Sequence, residues 1–180
     1  MYQSLFTGLA KALNFGIKVA MAIGVAALAF ITASMTADVI LRYVFNSPTT
    51  WISEISSFLM VVMVMMGLGY VQKKKAHIRV NLFLPKLSKK IQRWTTLIIY
   101  VFSLVFTIIL AYITWREVVL SVKLRSDSTS VNAFPIAPWQ VFIPLGLVIL
   151  ALTLIWDIGT EVARIRRGEW ESKEIEEASY

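Results

Sequence analysis

Few residues of this sequence carry side chains suited to catalysis or metal binding. The chain has 180 residues with no Cys and one His, which excludes disulfides, thiolate metal sites and cysteine nucleophiles. His77 follows the run Lys73–Lys75, a setting more typical of an interfacial residue than of a catalyst. We find no glycine-rich phosphate loop and no pair of acids at metal-ligand spacing. The sequence therefore predicts neither an enzyme nor a cofactor.

The remaining candidate functional residues lie in one short segment, residues 38–54. Asp38 and Arg42 are four residues apart, so they share a helix face. After the turn Asn46–Pro48, Thr50 is placed to cap a second helix and Glu54 suits its first turn. We expect Arg42 and Glu54 to form an ion pair, because an unpaired charge beside an apolar segment is costly. The alternative is two independent residues that reach water.

Four long uncharged runs surround these residues. Hydrophobic residues make up 57% of the chain and charged residues 16%, which is too apolar for an ordinary soluble domain. Each run is close to the roughly 20 residues that cross a bilayer as a helix. We predict an all-α integral membrane protein with spans at about 16–42, 51–72, 94–116 and 138–164. The alternatives are a soluble bundle of buried helices and, for the first run, a cleavable signal, which its length disfavours.

The basic residues predict the orientation of these spans. Of the 18 Lys and Arg, 14 lie in the N-terminus, the loop between the second and third spans, and the C-terminal tail. Positive residues favour the cytoplasmic side, so we expect both termini to be cytoplasmic. The net charge of +7 is then a topology signal. Nucleic acid is not an expected partner, since no separate basic domain exists to bind it.

A short amphipathic helix is predicted at residues 82–93, on the cytoplasmic face. Its apolar residues fall at helical spacing and its basic residues lie on the other side, as in helices attracted to phospholipid headgroups. The alternative is a solvated loop leading into the third span. An acidic tail follows at residues 168–180. The headgroup candidates are Lys73, Lys74, Lys75, Lys86, Lys89, Lys90 and Arg93.

Packing signals mark the first and last spans. Alanines on one face of the first span would let another helix approach closely, within this chain or from a partner. They are Ala22, Ala26, Ala29, Ala33 and Ala37. In the last span, Pro138 suits the helix start and Pro144 predicts a kink.

The spans lack the feature expected of a carrier acting alone. Ion-coupled carriers place an ionisable group in mid-membrane, whereas Asp38, Glu54 and Asp157 all lie near span ends. One rival hypothesis is a small homodimeric proton-coupled multidrug exporter, in which Glu54 would be the essential acid. Another is a membrane enzyme acting on lipids, which would depend on His77.

Several motifs together resemble a known family. They are the stretch Leu41–Pro48, the segment Trp51–Glu54, Gly67 and the run Ala76–Asn81. In this combination the chain is similar to the small membrane (Q-type) subunit of tripartite ATP-independent periplasmic (TRAP) transporters. The similarity extends over residues 35–90 by motif and over the whole chain by length and four-span layout. Asn81 departs from the acid expected in many relatives.

The resemblance implies a function that the composition does not show. TRAP systems import organic acids, such as C4-dicarboxylates or sialic acids, with a sodium gradient. A periplasmic binding protein delivers the substrate to a large permease subunit, and the small subunit is a static scaffold in the inner membrane. The family's Arg, Trp, Glu and His-Ile-Arg positions correspond to Arg42, Trp51, Glu54, His77, Ile78 and Arg79. The candidates for structural and subunit-interface roles are Asp38, Arg42, Trp51, Glu54, Gly67, His77 and Arg79.

Overall fold

The computed structural model of the chain describes residues 2–47, 49–74, 88–128 and 133–168. Its helices are α1 Tyr2–Val44, α2 Thr50–Lys73, α3 Lys89–Leu124, α4 Ala137–Gln140 and α5 Phe142–Arg166. Four helical stretches are long and apolar enough to span a membrane. They are Ala10–Val44, Thr50–Lys73, Lys90–Leu124 and Ala137–Arg166. The prediction of an all-α protein with four transmembrane helices is confirmed.

Two helices are longer than the bilayer requires. At 1.5 Å per residue, the 43 residues of α1 and the 36 of α3 extend about 65 and 54 Å, against a hydrocarbon core of about 30 Å. The third helix begins at Lys89, so residues 89–93 belong to it and not to a separate interfacial helix. Residues 82–87 of that predicted helix lie outside the described residues.

Backbone breaks fall where the sequence predicts them. α1 ends at Val44, and Asn46 follows with a φ of 49°, a left-handed conformation that Asn adopts more readily than most residues. Pro138 lies in the first turn of α4. A turn at Val141 separates α4 from α5, since Pro144 has no N–H to donate to the carbonyl one turn earlier. The interruption lies where Pro144 predicts a kink.

The long helices pack in the order α1, α2, α5, α3. The extensive contacts are those of α1 with α2, of α2 with α5 and of α5 with α3. A hydrophobic cluster of Ala20, Val62 and Met66 lies between α1 and α2, with Ile149 of α5 packed against it. In this row α1 and α3 lie at the two edges, so both helices expose broad apolar faces.

Two glycines let α5 approach α2 closely. A Cβ at Gly146 would overlap the carbonyl oxygen of Met65 and lie 2.8 Å from its carbonyl carbon. A Cβ at Gly69 would come within 2.6 Å of the Ile149 side chain. The axes of α2 and α5 are therefore closer than any larger side chain at these positions would allow.

Candidate functional site

Asp38 organises the turn between α1 and α2. We call this end of the helices, where α1 and α3 end and α2 begins, the hairpin end. Asp38 is 4% exposed. One carboxylate oxygen accepts hydrogen bonds from the Thr49 backbone N–H, at 3.2 Å, and from the Thr49 hydroxyl. The other oxygen pairs with Arg42 Nη2 at 2.8 Å. The shared helix face of Asp38 and Arg42 is confirmed, and the negative charge lies beside the N-terminus of α2, where it is favourable.

Three expectations at the hairpin end are wrong. Arg42 pairs with Asp38 on its own helix and not with Glu54. Glu54 is half-buried and lies just beyond the first turn of α2, which contains no acidic residue. The N-cap of α2 is Thr49 and not Thr50, and the Thr49 side chain bonds to Asp38 instead of the helix backbone. Asp38 therefore satisfies donors from both sides of the turn, which local spacing could not indicate.

Exposed aromatic side chains lie at two levels along the helix axes, one near each end. Tyr43, Trp51 and Trp115 are exposed at the hairpin end, and Trp94 is exposed near the start of α3. Trp94 and Trp115 are about 32 Å apart along the helix, by its rise per residue. This separation matches the thickness of a hydrocarbon core, and Trp and Tyr favour both membrane–water interfaces.

Polar contacts connect adjacent helices at the opposite end of the helix axes, where α2 and α5 end and α3 begins. We call this the basic end. Lys73 of α2 donates to the side-chain carbonyl oxygen of Asn14 in α1. Gln72, which is buried, donates from Nε2 to Asp157 Oδ2 of α5 at 2.8 Å. Each contact fixes the axial position of one helix against the next.

A buried ion pair joins α5 to α3 at the same end. Arg93 Nη1 lies 2.9 Å from Glu161 Oε2, and the two side chains are 5% and 8% exposed. Arg164 adds a second pair to Glu161, at 3.3 Å. Removing one partner of a buried pair leaves an uncompensated charge, so the pair strongly favours one register of α3 on α5.

The headgroup candidates divide into three groups. Arg93 faces the bundle and not the headgroups, because it is buried against Glu161. Lys90 is exposed, Lys73 bonds to Asn14, and Lys74 Nζ lies 6.0 Å from the centre of the Tyr70 ring. The remaining candidates lie outside the described residues or have side chains that do. They are Lys75, Lys86 and Lys89.

The other predicted residues are less informative. Gly67 is half-buried, and a Cβ built on it would have no atom within 4 Å, so α2 uses Gly69 and not Gly67 for close packing. His77, Arg79 and the tail from 169 onward lie outside the described residues. The close approach of α2 to α5 at Gly69 and Gly146 was not predicted from the sequence. Glycines in an apolar helix often mark such a contact, because they let two backbones approach.

The alanine face of α1 is uncovered. Ala22, Ala26, Ala29, Ala33 and Ala37 are all exposed, so this face does not pack within the described part of the chain. On the same helix, the hydroxyls of Thr32 and Thr36 bond to carbonyls one turn earlier and present little polarity to a neighbour.

The described residues offer no constellation for metal or acid–base chemistry. Among them, no three His, Asp or Glu side chains are grouped closely enough to hold a metal ion. The central parts of all four spans contain no Asp, Glu, Lys, Arg or His; they are 19–37, 55–72, 94–115 and 142–156. What the structure presents is two polar ends joined by apolar helices with exposed faces.

Comparison with known proteins identifies the family. Residues 31–164 match the model of the family described as tripartite ATP-independent periplasmic transporters, DctQ component. The chain belongs to this family. No curated protein matches the sequence.

The DctQ family fixes the general function of the chain. The chain is the small membrane subunit of a TRAP transporter. The family is one of transporter components and not of enzymes. The other components of a tripartite transporter are a large permease and a binding protein, so these are its partners. Four apolar helices and the family together make it a multi-pass inner-membrane protein.

Proposed function

We propose that this DctQ subunit is the static scaffold of a sodium-driven importer of an organic acid, of the sialic acid or C4-dicarboxylate type. The observation that carries the proposal is the absence of any ionisable residue from the centre of the four spans. An ion-coupled site in mid-membrane usually includes an ionisable residue, so we assign the sodium and substrate sites to the large permease. The small subunit positions the fixed part of that permease.

Uncovered helix faces support the scaffold role. The alanine face of α1 can bring a partner helix close, because small side chains allow backbones to approach. At the hairpin end, Asp38 and Arg42 hold the turn that follows this helix, and we assign Trp51 and Glu54 to the same interface. Gly67, His77 and Arg79 complete the set of residues that we assign to the fold and the subunit interface.

The hairpin end is the proposed docking side for the periplasmic binding protein. The loop after α3 is folded back on itself, since Ser128 N donates to Phe134 O at 2.8 Å and Ile136 N donates to Ser126 O at 3.2 Å. These hydrogen bonds hold the two described ends of the loop, residues 126–128 and 134–136, against each other. This assignment follows from the positive-inside rule, which puts both termini and the lysine-rich basic end in the cytoplasm, against phospholipid headgroups.

Reconstitution tests the transport proposal. The chain would be placed in liposomes with its permease, with the binding protein outside, and uptake of labelled sialic acid or C4-dicarboxylate measured. We expect uptake only when all three proteins and an inward sodium gradient are present. Proton-driven export of a cationic dye by this chain alone would contradict the scaffold function and support the homodimeric exporter.

Glu54→Gln separates the same two functions. In a scaffold, the substitution weakens recovery of the permease with the tagged chain, because Glu54 lies in the hairpin turn region. In an exporter, assembly is intact and proton coupling is lost. Glu117→Gln, at an exposed position of α3, is the matched control and leaves both measurements unchanged.

A further inference from the structure

We propose that four lysines at the basic end of α1 and α2 bind the headgroup of an anionic phospholipid. We call them the α1–α2 lysine cluster; its members are Lys11, Lys18, Lys73 and Lys74. All four side chains are exposed. The proposal rests on the basic end lying at a bilayer surface and adds a defined lipid site to the proposed function.

Asn14 is the centre of the cluster. The Lys73 ammonium donates to its side-chain oxygen, which brings the end of α2 against α1. Lys11 is three residues before Asn14 and Lys18 is four residues after it, so both are its neighbours on the helix surface. Lys74 Nζ points back along α2, 6.0 Å from the centre of the Tyr70 ring. Two helices thus place Lys11, Lys18 and Lys73 around Asn14, with Lys74 following Lys73 at the same end of α2.

The described acids at this end do not neutralise the cluster. Asp157 accepts a hydrogen bond from Gln72, and Glu161 pairs with Arg93 and Arg164. Lys11, Lys18, Lys73 and Lys74 form no ion pair within the described part of the chain. A surface with this excess of positive charge attracts a multiply accepting anion such as a phosphodiester.

The surroundings identify the anion as a membrane lipid and not a soluble phosphate. Phe15, one turn after Lys11, is 70% exposed, and Val25, two turns after Lys18, is 51% exposed. Exposed apolar side chains of this size suit acyl chains. Long lysine side chains reach from such a surface to the headgroup level. A positive cluster beside an exposed apolar surface therefore fits a phospholipid, with anionic headgroups preferred over zwitterionic ones.

Native mass spectrometry of the full chain, purified with the partners it retains, tests the site. Phosphatidylglycerol and phosphatidylethanolamine are added in equal amounts to wild type and to Lys11→Gln/Lys18→Gln. This variant keeps the bond between Lys73 and Asn14. We expect bound phosphatidylglycerol to fall about fivefold for each lysine removed, from the usual contribution of one basic residue near an anionic surface. Arg166→Gln/Arg167→Gln, with two exposed charges lost at the same end, is the matched control.

Three results would overturn the site. They are an equal fall in the control variant, displacement of the lipid by inorganic phosphate, and loss of a co-purified membrane protein with lipid binding unchanged. The last result would make the cluster a protein contact. Recovery of the permease is measured in the same samples, so failure of the scaffold function is seen separately.

Lysine acetylation of the wild-type chain gives a second test that needs no variant. Lys11 and Lys18 should react more slowly in phosphatidylglycerol liposomes than in phosphatidylethanolamine-rich ones, whereas Lys123, at the hairpin end, should react alike in both. Equal reactivity of Lys11 and Lys18 in the two liposomes would contradict the proposal.

Discussion

At the residue scale, Asp38 has the largest predicted effect at the hairpin end. Asp38→Ala removes the acceptor of both Thr49 donors and the partner of Arg42, so the thermal unfolding midpoint of the detergent-solubilised chain should fall by several degrees. Asp38→Asn keeps one acceptor oxygen and loses the ion pair, so its midpoint should lie between those of wild type and Asp38→Ala. Glu117→Gln should match wild type, and Asp38→Ala as stable as that control would show that the turn does not depend on Asp38.

The pair of Arg93 with Glu161 supports a different residue-scale prediction. Arg93→Met alone leaves the buried Glu161 carboxylate with only the more exposed Arg164 as a charge partner among the described residues and should destabilise the chain by up to about 3 kcal/mol. Arg93→Met combined with Glu161→Leu removes both charges and should recover much of that loss, because apolar pairs of similar size often replace buried ion pairs without cost. Denaturant titration of the single and double variants measures the coupling. Additive effects would mean that the two side chains do not stabilise each other.

At the element scale, the approach of α5 to α2 depends on Gly146. Gly146→Ala places a methyl group against the Met65 carbonyl, which is backbone and cannot rotate away, so the helices must separate. We expect a loss of about 1–3 kcal/mol, typical of overpacking. Gly159→Ala, on the same helix with nothing within 4 Å of its Cβ, is the control and should be neutral or slightly stabilising. Equal stability of the two variants in the same unfolding assay would refute the close contact.

The elements also show what the sequence could and could not predict. Long charge-free runs, Pro144 and the turn at Asn46 act through local backbone and solvation effects, so the spans, the interruption at Val141 and the turn were predictable. The partners of Arg42 and Arg93 were not, because each depends on how two helices pack in three dimensions. Arg93 has the sequence signature of a headgroup residue, yet Glu161, 68 positions later, makes burial favourable.

At the scale of the whole molecule, a row of helices leaves more apolar surface exposed than a closed bundle would. Exposed helix faces in lipid carry no large hydrophobic penalty, so the row needs no further cover to be stable in a bilayer. Its edge helices α1 and α3 differ: α1 exposes an alanine face beside large side chains such as Phe30, whereas the exposed surface of α3 consists mainly of large side chains such as Phe102 and Phe106. Large side chains suit lipid contact, and small ones suit a tightly packed helix.

This difference predicts which edge contacts the permease. Ala29→Leu/Ala33→Leu thickens the alanine face by side chains that a close helix could not accommodate, and should reduce recovery of the permease with the tagged chain. Val101→Leu/Val105→Leu, two residues four apart on the exposed surface of α3, is the matched control, since lipid adapts to the added methylenes. Quantitative mass spectrometry of the pull-down gives the ratio of the two subunits. A reduced ratio in the α3 variant with an unchanged ratio in the α1 variant would move the interface to the opposite edge of the row, because only a packed protein surface is sensitive to an added methylene.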